Sequence, residues 1–127
     1  MTIGNITTGA QTVTTTGAVT PTAGLDISGI SGDYTVHVRV QALSSSTGVA
    51  NATIQLEDTV NAFTASIPVA VKEVSPTIST NAEQHFAWRK YQLPNLRAGT
   101  ASAKLRTNVT VLGGTTPTLT LDSWIEY

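Results

Sequence analysis

Two histidines, His37 and His85, are the side chains of this sequence whose charge changes near neutral pH, and each has a carboxylate close in sequence, Asp33 and Glu83. Imidazole beside carboxylate is half of a nucleophilic relay; the other half is a hydroxyl or thiol that the imidazole can deprotonate. No G-x-S-x-G turn presents such a hydroxyl, and the chain has no cysteine. Both histidines alternate with apolar neighbours, so they read as solvent-facing strand positions. Glu57-Asp58 is the one adjacent acidic pair. Glycoside hydrolysis needs two carboxylates facing each other across a cleft, whereas an Asp where a strand meets a turn usually accepts nearby backbone N–H groups. A structural role is therefore expected of this pair. With neither an H-E-x-x-H pattern nor an acidic calcium loop, no metal ligand set, cofactor or catalytic residue is expected, and the chain does not read as an enzyme.

What stands out instead is chemistry suited to binding. Five of the seven basic residues, Arg89, Lys90, Arg97, Lys104 and Arg106, fall between positions 89 and 106, with Trp88 and Tyr91 among them. Such a mixture could stack nucleic-acid bases. However, Glu57, Asp58, Glu73 and Glu83 are numerous enough to neutralise it, net charge is -1 and the isoelectric point is about 6.0. Nucleic acid is not an expected partner. Trp124 has the parity opposite to Leu121 and Ile125, which puts it on the outer face of the last strand unless a bulge returns it to the core. Outside and beside Tyr127, it would be an interface anchor.

These residues must be positioned by a small domain. The 127 residues suit one hydrophobic core, 40% of them are apolar, and only 12% are charged, about half the usual share. Thr is the commonest residue, and branching at Cβ suits a pleated surface better than a helix. Without cysteine, neither disulfides nor thiolate zinc can brace the fold. Met1 to Ala10 lacks a basic stretch and a continuous apolar run, and no segment approaches the roughly 18 apolar residues of a membrane span. The expectation is a soluble protein made in the cytoplasm, with no membrane partner.

Period-two alternation marks the strands. Tyr34, Val36, Val38 and Val40 alternate with Thr35, His37, Arg39 and Gln41; after a Ser44 to Gly48 turn, Ala52, Ile54 and Leu56 alternate with Thr53, Gln55 and Glu57. Phe63 and then Ile67, Val69 and Val71 suggest a further strand, in which Pro68 argues for an edge or a bulge. A polar loop at 76–81 precedes a strand from His85 to Tyr91, with Phe86 and Trp88 on one parity and Tyr91 on the other. The next strand places Ala103, Leu105, Thr107, Val109 and Val111 inward. A Gly113 to Pro117 turn leads to the last, with Leu119, Leu121, Ser123 and Ile125 inward. The whole predicts an all-β fold, an antiparallel β-sandwich (immunoglobulin-like or jelly-roll) of about six to eight strands spanning 23–127. Residues 1–22, rich in Thr and Gly with Ile3, Ile6, Val13 and Val19 as isolated apolar positions, predict an extended arm able to add a strand to a neighbour.

The pieces Tyr91, Leu105 to Val111, Gly114-Thr115-Thr116-Pro117 and Leu119 to Tyr127 resemble the endings of small head-associated structural proteins of tailed bacteriophages. In those, an Arg- and Val-rich strand, a Gly-Thr-x-Pro turn and a final alternating strand follow one another. Ala52 to Thr59 followed by Phe63-Thr64 is similar to the strand, acidic turn and aromatic return of the same group. The resemblance covers about residues 33–127; the Thr-rich N-terminal segment is a departure from it. It implies a capsid decoration or cement protein, often a homotrimer, on the outer capsid surface of the virion, clamping the major capsid protein. Another tail, neck or fibre subunit is the alternative within the virion, and a carbohydrate-binding or adhesin module, its glycan stacked on Trp88, Tyr91 or Trp124, is the alternative outside it. The residues expected to make contact are Ile3, Ile6 and Val13 of the arm, with Trp88, Arg89, Tyr91, Arg106, Trp124 and Tyr127 of the domain.

Overall fold

The computed structural model describes residues 1–47, 50–59, 67–74 and 83–127, so Phe63 and the expected loop at 76–81 lie outside the described residues. Its strands are β1 (Ile3–Asn5), β2 (Gln11–Val13), β3 (Gly17–Ala18), β4 (Leu25–Asp26), β5 (Thr35–Ser44), β6 (Asn51–Thr59), β7 (Ile67–Val74), β8 (Gln84–Arg89), β9 (Lys104–Gly113) and β10 (Thr118–Glu126). One turn of 3-10 helix, Lys90–Gln92, follows β8. Two antiparallel sheets of five strands face each other, as expected of a β-sandwich. The first runs β1, β10, β5, β8, with β2 sharing the β10 edge. The second runs β3, β9, β6, β7, with β4 sharing the β9 edge.

Val36, Val38, Val40, Ile54, Leu56, Leu105, Val109, Leu119, Leu121 and Ile125 point inward and are buried to within 2%. Alternation alone misplaces the residues beyond each bulge, where one extra residue flips the faces. Ile54 pairs with Val109 and Thr53 with Val111, so Thr110 is unmatched and Val111 turns outward, 43% exposed, rather than inward. Val71 is likewise outward at 53%, because Leu56 pairs with Ala70 but Glu57 with Pro68. Pro68 thus combines both readings of a strand proline: β7 is an edge strand and it is irregular there.

The N-terminal segment is extended, but its partners lie within this chain. β1 and β2 pair with β10, and β3 with β9. Ile6 and Val19, expected on a loose arm, are 0% and 1% exposed, and Thr7 is 1% exposed. The physical reason is that β10 and β9 each expose a full edge of backbone N–H and C=O groups, and a β-branched segment tethered to the same chain satisfies them without the entropy cost of association. The segment crosses from one sheet to the other between β2 and β3, and around Thr7, between β1 and β2, a polar knot joins the layers. Thr107 Oγ1 and Ser123 Oγ are 2.7 Å apart in the core, and the Ser123 N–H donates to Thr7 Oγ1 at 3.0 Å. The Ile6 and Thr7 N–H groups donate in turn to the Ser123 carbonyl. Where β1 meets β4 the sheets come so close that a Cβ on Gly4 would stand 2.9 Å from Leu25 Cδ2.

Candidate interaction surface

The outer face of the first sheet is built in ranks that follow from strand register. One rank reads Ile3, Glu126, Thr35, Arg89; the next Asn5, Trp124, His37, Ala87; the third Asp122, Arg39, His85. Trp124 is therefore on the outside, the first of its two sequence alternatives, because Leu121, Ser123 and Ile125 take the inward positions. It is half-buried by its neighbours. His37 stacks on it with centroids 5.0 Å apart and planes 8° from parallel, and the Arg39 guanidinium carbon lies 5.5 Å from the indole centroid. Arg39 is held by Asp122 through two hydrogen bonds, Nε to Oδ1 at 3.0 Å and Nη2 to Oδ2 at 2.7 Å, which raise its pKa further.

The two histidines, 48 residues apart, meet here: His37 Nδ1 and His85 Nε2 are 2.8 Å apart. The carboxylate at His37 is Glu126 from β10, 3.3 Å from Nε2, and not Asp33. Glu126 also accepts the Trp124 indole N–H at 3.3 Å. Burial under Trp124 lowers the pKa of His37, with Glu126 opposing the shift and His85 adding to it. Trp124, Arg39, Asp122, Asn5 and Ile3 line an open depression of about 240 Å³. Among the described residues, no group of three or more His, Cys, Asp or Glu side chains is arranged to hold a metal ion.

Of the nine residues expected to make contact, Ile3, Arg89 and Trp124 share this face. Ile3 is 61% exposed and Arg89 is exposed. Tyr91, 80% exposed, sits on the 3-10 turn that follows β8. It has left the sheet, so strand parity does not govern it. Tyr127, 43% exposed, continues β10, its backbone paired with Thr2. Met1, Tyr34 and Tyr127 line a neighbouring depression of about 270 Å³. Three expectations are corrected. Ile6 is in the core. Val13 and Trp88 face inward and pack against it, because their cross-strand partners are the fully buried Leu119 and Val36.

Arg106 belongs to the other sheet. Its Nε donates to Glu57 Oε2 at 2.8 Å, while Glu57 Oε1 accepts from Asn108 at 2.6 Å and Gln55 at 3.0 Å. Asp58, one residue on and fully buried, accepts the N–H and Nε of Arg97 at 2.6 and 3.1 Å. The adjacent acids are thus separate anchors for two basic residues, as the structural reading of the pair expects, and the basic run from 89 to 106 is dispersed rather than gathered into one patch. Lys90 goes to a third place, its Nζ 3.3 Å from the Gly32 carbonyl.

No family model, curated protein or solved structure matches this chain.

The cross-strand set of His37, Arg39, His85, Asp122 and Glu126 was not among the expected contact residues. Its members do carry a sequence signal: Arg39 and His37 lie on the polar parity of one strand, Asp122 and Glu126 on that of another, and His85 on that of a third. That the three strands are neighbours is a matter of sheet order, which parity does not carry.

Proposed function

We propose that the chain is a non-enzymatic binding protein whose first sheet seats its outer face on a larger protein surface, and that it serves as a capsid decoration protein. In that role it would bind the outside of the major capsid shell of a tailed phage and stabilise it. One observation carries the binding reading: a tryptophan and an arginine stand side by side on the outer face, both already immobilised, Trp124 by His37 and Arg39 by Asp122. Trp and Arg dominate the energetic centres of protein interfaces, and side chains ordered before binding lose little entropy in it. The flanking Ile3 and Arg89 extend the same face. The step to a capsid rests on the resemblance of residues 33–127 to head-associated phage proteins. In this reading the N-terminal segment does not reach out to a neighbour, since its backbone is engaged with β9 and β10, and it contributes only Ile3 at the edge of the face.

A small contact gains avidity when several copies seat together, which favours a homotrimer. The test is co-sedimentation with undecorated shells. The chain is expected to pellet with them, and Trp124→Ala with Arg39→Ala, each folded by circular dichroism, is expected to stay in the supernatant. A wild-type chain that never pellets, or variants that pellet as well as wild type, would remove the proposal. Light scattering reads the trimer directly.

A second reading is favoured by one feature, the depression in which Trp124 stands beside Asn5, Arg39 and Asp122. An aromatic wall with polar groups around it is the chemistry of a sugar-binding module. A glycan array that lights up for the wild type and goes dark for Trp124→Ala would select it; a blank array would dismiss it.

A further inference from the structure

We infer that His37 and His85 form a two-imidazole site for a tetragonal divalent ion of the Cu2+ or Ni2+ type on the outer face of the first sheet. The inference stands independently of the function proposed above.

The two residues are diagonal neighbours on one face: His37 is opposite Ala87, and His85 is opposite Arg39. Their facing nitrogens, Nδ1 of His37 and Nε2 of His85, are 2.8 Å apart. Without an ion, one proton must lie between them, since two lone pairs or two N–H groups would repel. An ion that takes the place of that proton needs two nitrogens at the spacing of neighbouring ligands. For bonds of about 2.0 Å meeting at the right angle of a tetragonal ion, that spacing is ~2.8 Å, whereas a tetrahedral ion such as Zn2+ needs about 3.3 Å. The existing separation matches the tetragonal case. Re-aiming the two lone pairs onto one point needs a turn of the rings, and exposed His85 is the one free to make it.

The far side of His37 is built as a ligand's support. Its Nε2 is buried without a hydrogen bond, and the nearest carboxylate, Glu126 Oε1, is 3.3 Å away. The negative charge of Glu126 favours the proton on Nε2, which leaves Nδ1 with its lone pair toward His85, the tautomer a ligating histidine needs. Trp124 stacked against the ring fixes its plane. Of the nearby charges, Glu126 from β10 is the carboxylate beside His37, Arg39 and Asp122 neutralise each other, and exposed Arg89 stands diagonally across from His37 on β8. The remaining coordination positions face solvent on the His85 side and would be filled by water.

Trp124 makes the site self-reporting, because Cu2+ quenches an indole only at close range. Titrating the full chain with Cu2+ in a non-coordinating buffer is expected to quench its fluorescence to saturation at one equivalent, reversed by chelator, and the paramagnetic resonance spectrum is expected to show coupling to two nitrogens. Glu126→Gln should weaken binding about tenfold, the usual worth of an outer-shell carboxylate, and His85→Gln, which removes a ligand from an exposed position, by more than that. Quenching that fails to saturate, that survives unchanged in His85→Gln, or that comes with a spectrum of one nitrogen or none would overturn the inference. The spectrum needs no variant, so it decides even if a substitution harms folding.

Discussion

If residues 1–22 are part of the sandwich, truncating Ile6 must cost what a core truncation costs. Ile6 is 0% exposed, packed in the cluster that also holds Val19, Leu105, Val109 and Ile125, and its main-chain N–H is fixed to the Ser123 carbonyl at 3.0 Å. Ile6→Ala leaves that hydrogen bond and removes the apolar branch, which in a packed core costs about 2–5 kcal/mol. For a chain of this length each kcal/mol moves the melting midpoint by roughly 4 °C, so a shift of about 8–20 °C is expected. Ile3→Ala is the internal control: three residues earlier in the same segment but 61% exposed, it should change stability by no more than about 0.5 kcal/mol. Urea titrations followed by far-ultraviolet circular dichroism, with the slope held constant between variants, report the difference directly. An Ile6→Ala protein that melts together with Ile3→Ala would refute the reasoning and return the segment to the status of a free arm.

Three further outcomes follow from buried polar groups and backbone shape. Thr7→Val keeps the volume but strands the Ser123 N–H inside the core, and should cost about 1–3 kcal/mol in the same titration, against nearly nothing if water reaches that donor. Tyr34, 5% exposed, has its pKa raised by burial, with the charges of Asp58 and Asp33 adding to the shift and the Lys90 ammonium 5.8 Å from its ring. The folded state therefore keeps the phenol proton at a pH where the unfolded chain, titrating near 10.0, has lost it. This contribution to stability is complete below pH 10.0 and is lost as pH rises through the higher folded value, so Tyr34→Phe should flatten the alkaline limb of a stability–pH curve; an unchanged limb would contradict it. Gly99→Ala should destabilise by more than about 1 kcal/mol, since its φ is +82° and a Cβ would stand 2.9 Å from the Ile30 carbonyl oxygen; a neutral result would mean the loop relaxes freely.

Much of the fold was legible because a strand with one buried face writes its orientation into every second residue. Val36, Val38 and Val40, or Leu119, Leu121 and Ile125, are fully buried where alternation puts them. That signal fails wherever backbone hydrogen bonding, rather than side-chain type, decides. Val111 and Val71 look inward by parity and face outward because each follows an unmatched residue in the ladder. Ile6 and Val19 look isolated because each directly follows a strand only three or two residues long, too short for any alternation to register, yet their main chains are held by Ser123 of β10 and Thr107 of β9, more than 80 residues away.

The interaction surface shows the same division more sharply. Which face a strand residue occupies is local information, whereas which residue stands beside it depends on strand order and register. His37, Arg39 and Trp124 could each be assigned to an outer face from sequence. That Trp124 lies across from His37, or that Asp122 lies across from Arg39, requires β5 and β10 to be neighbours in antiparallel register with a bulge opposite Thr120 and Leu121. Shifting that register by one residue would turn Trp124 into the core and Ile125 out to solvent. The inward set of Leu119, Leu121 and Ile125 excludes such a shift, since exposing them would forfeit several kcal/mol of burial. The apolar residues of β10 thus determine where its polar ones stand. The stacked Trp124 and His37, the paired Arg39 and Asp122 and the facing imidazoles are consequences of core packing on the opposite side of the same strands.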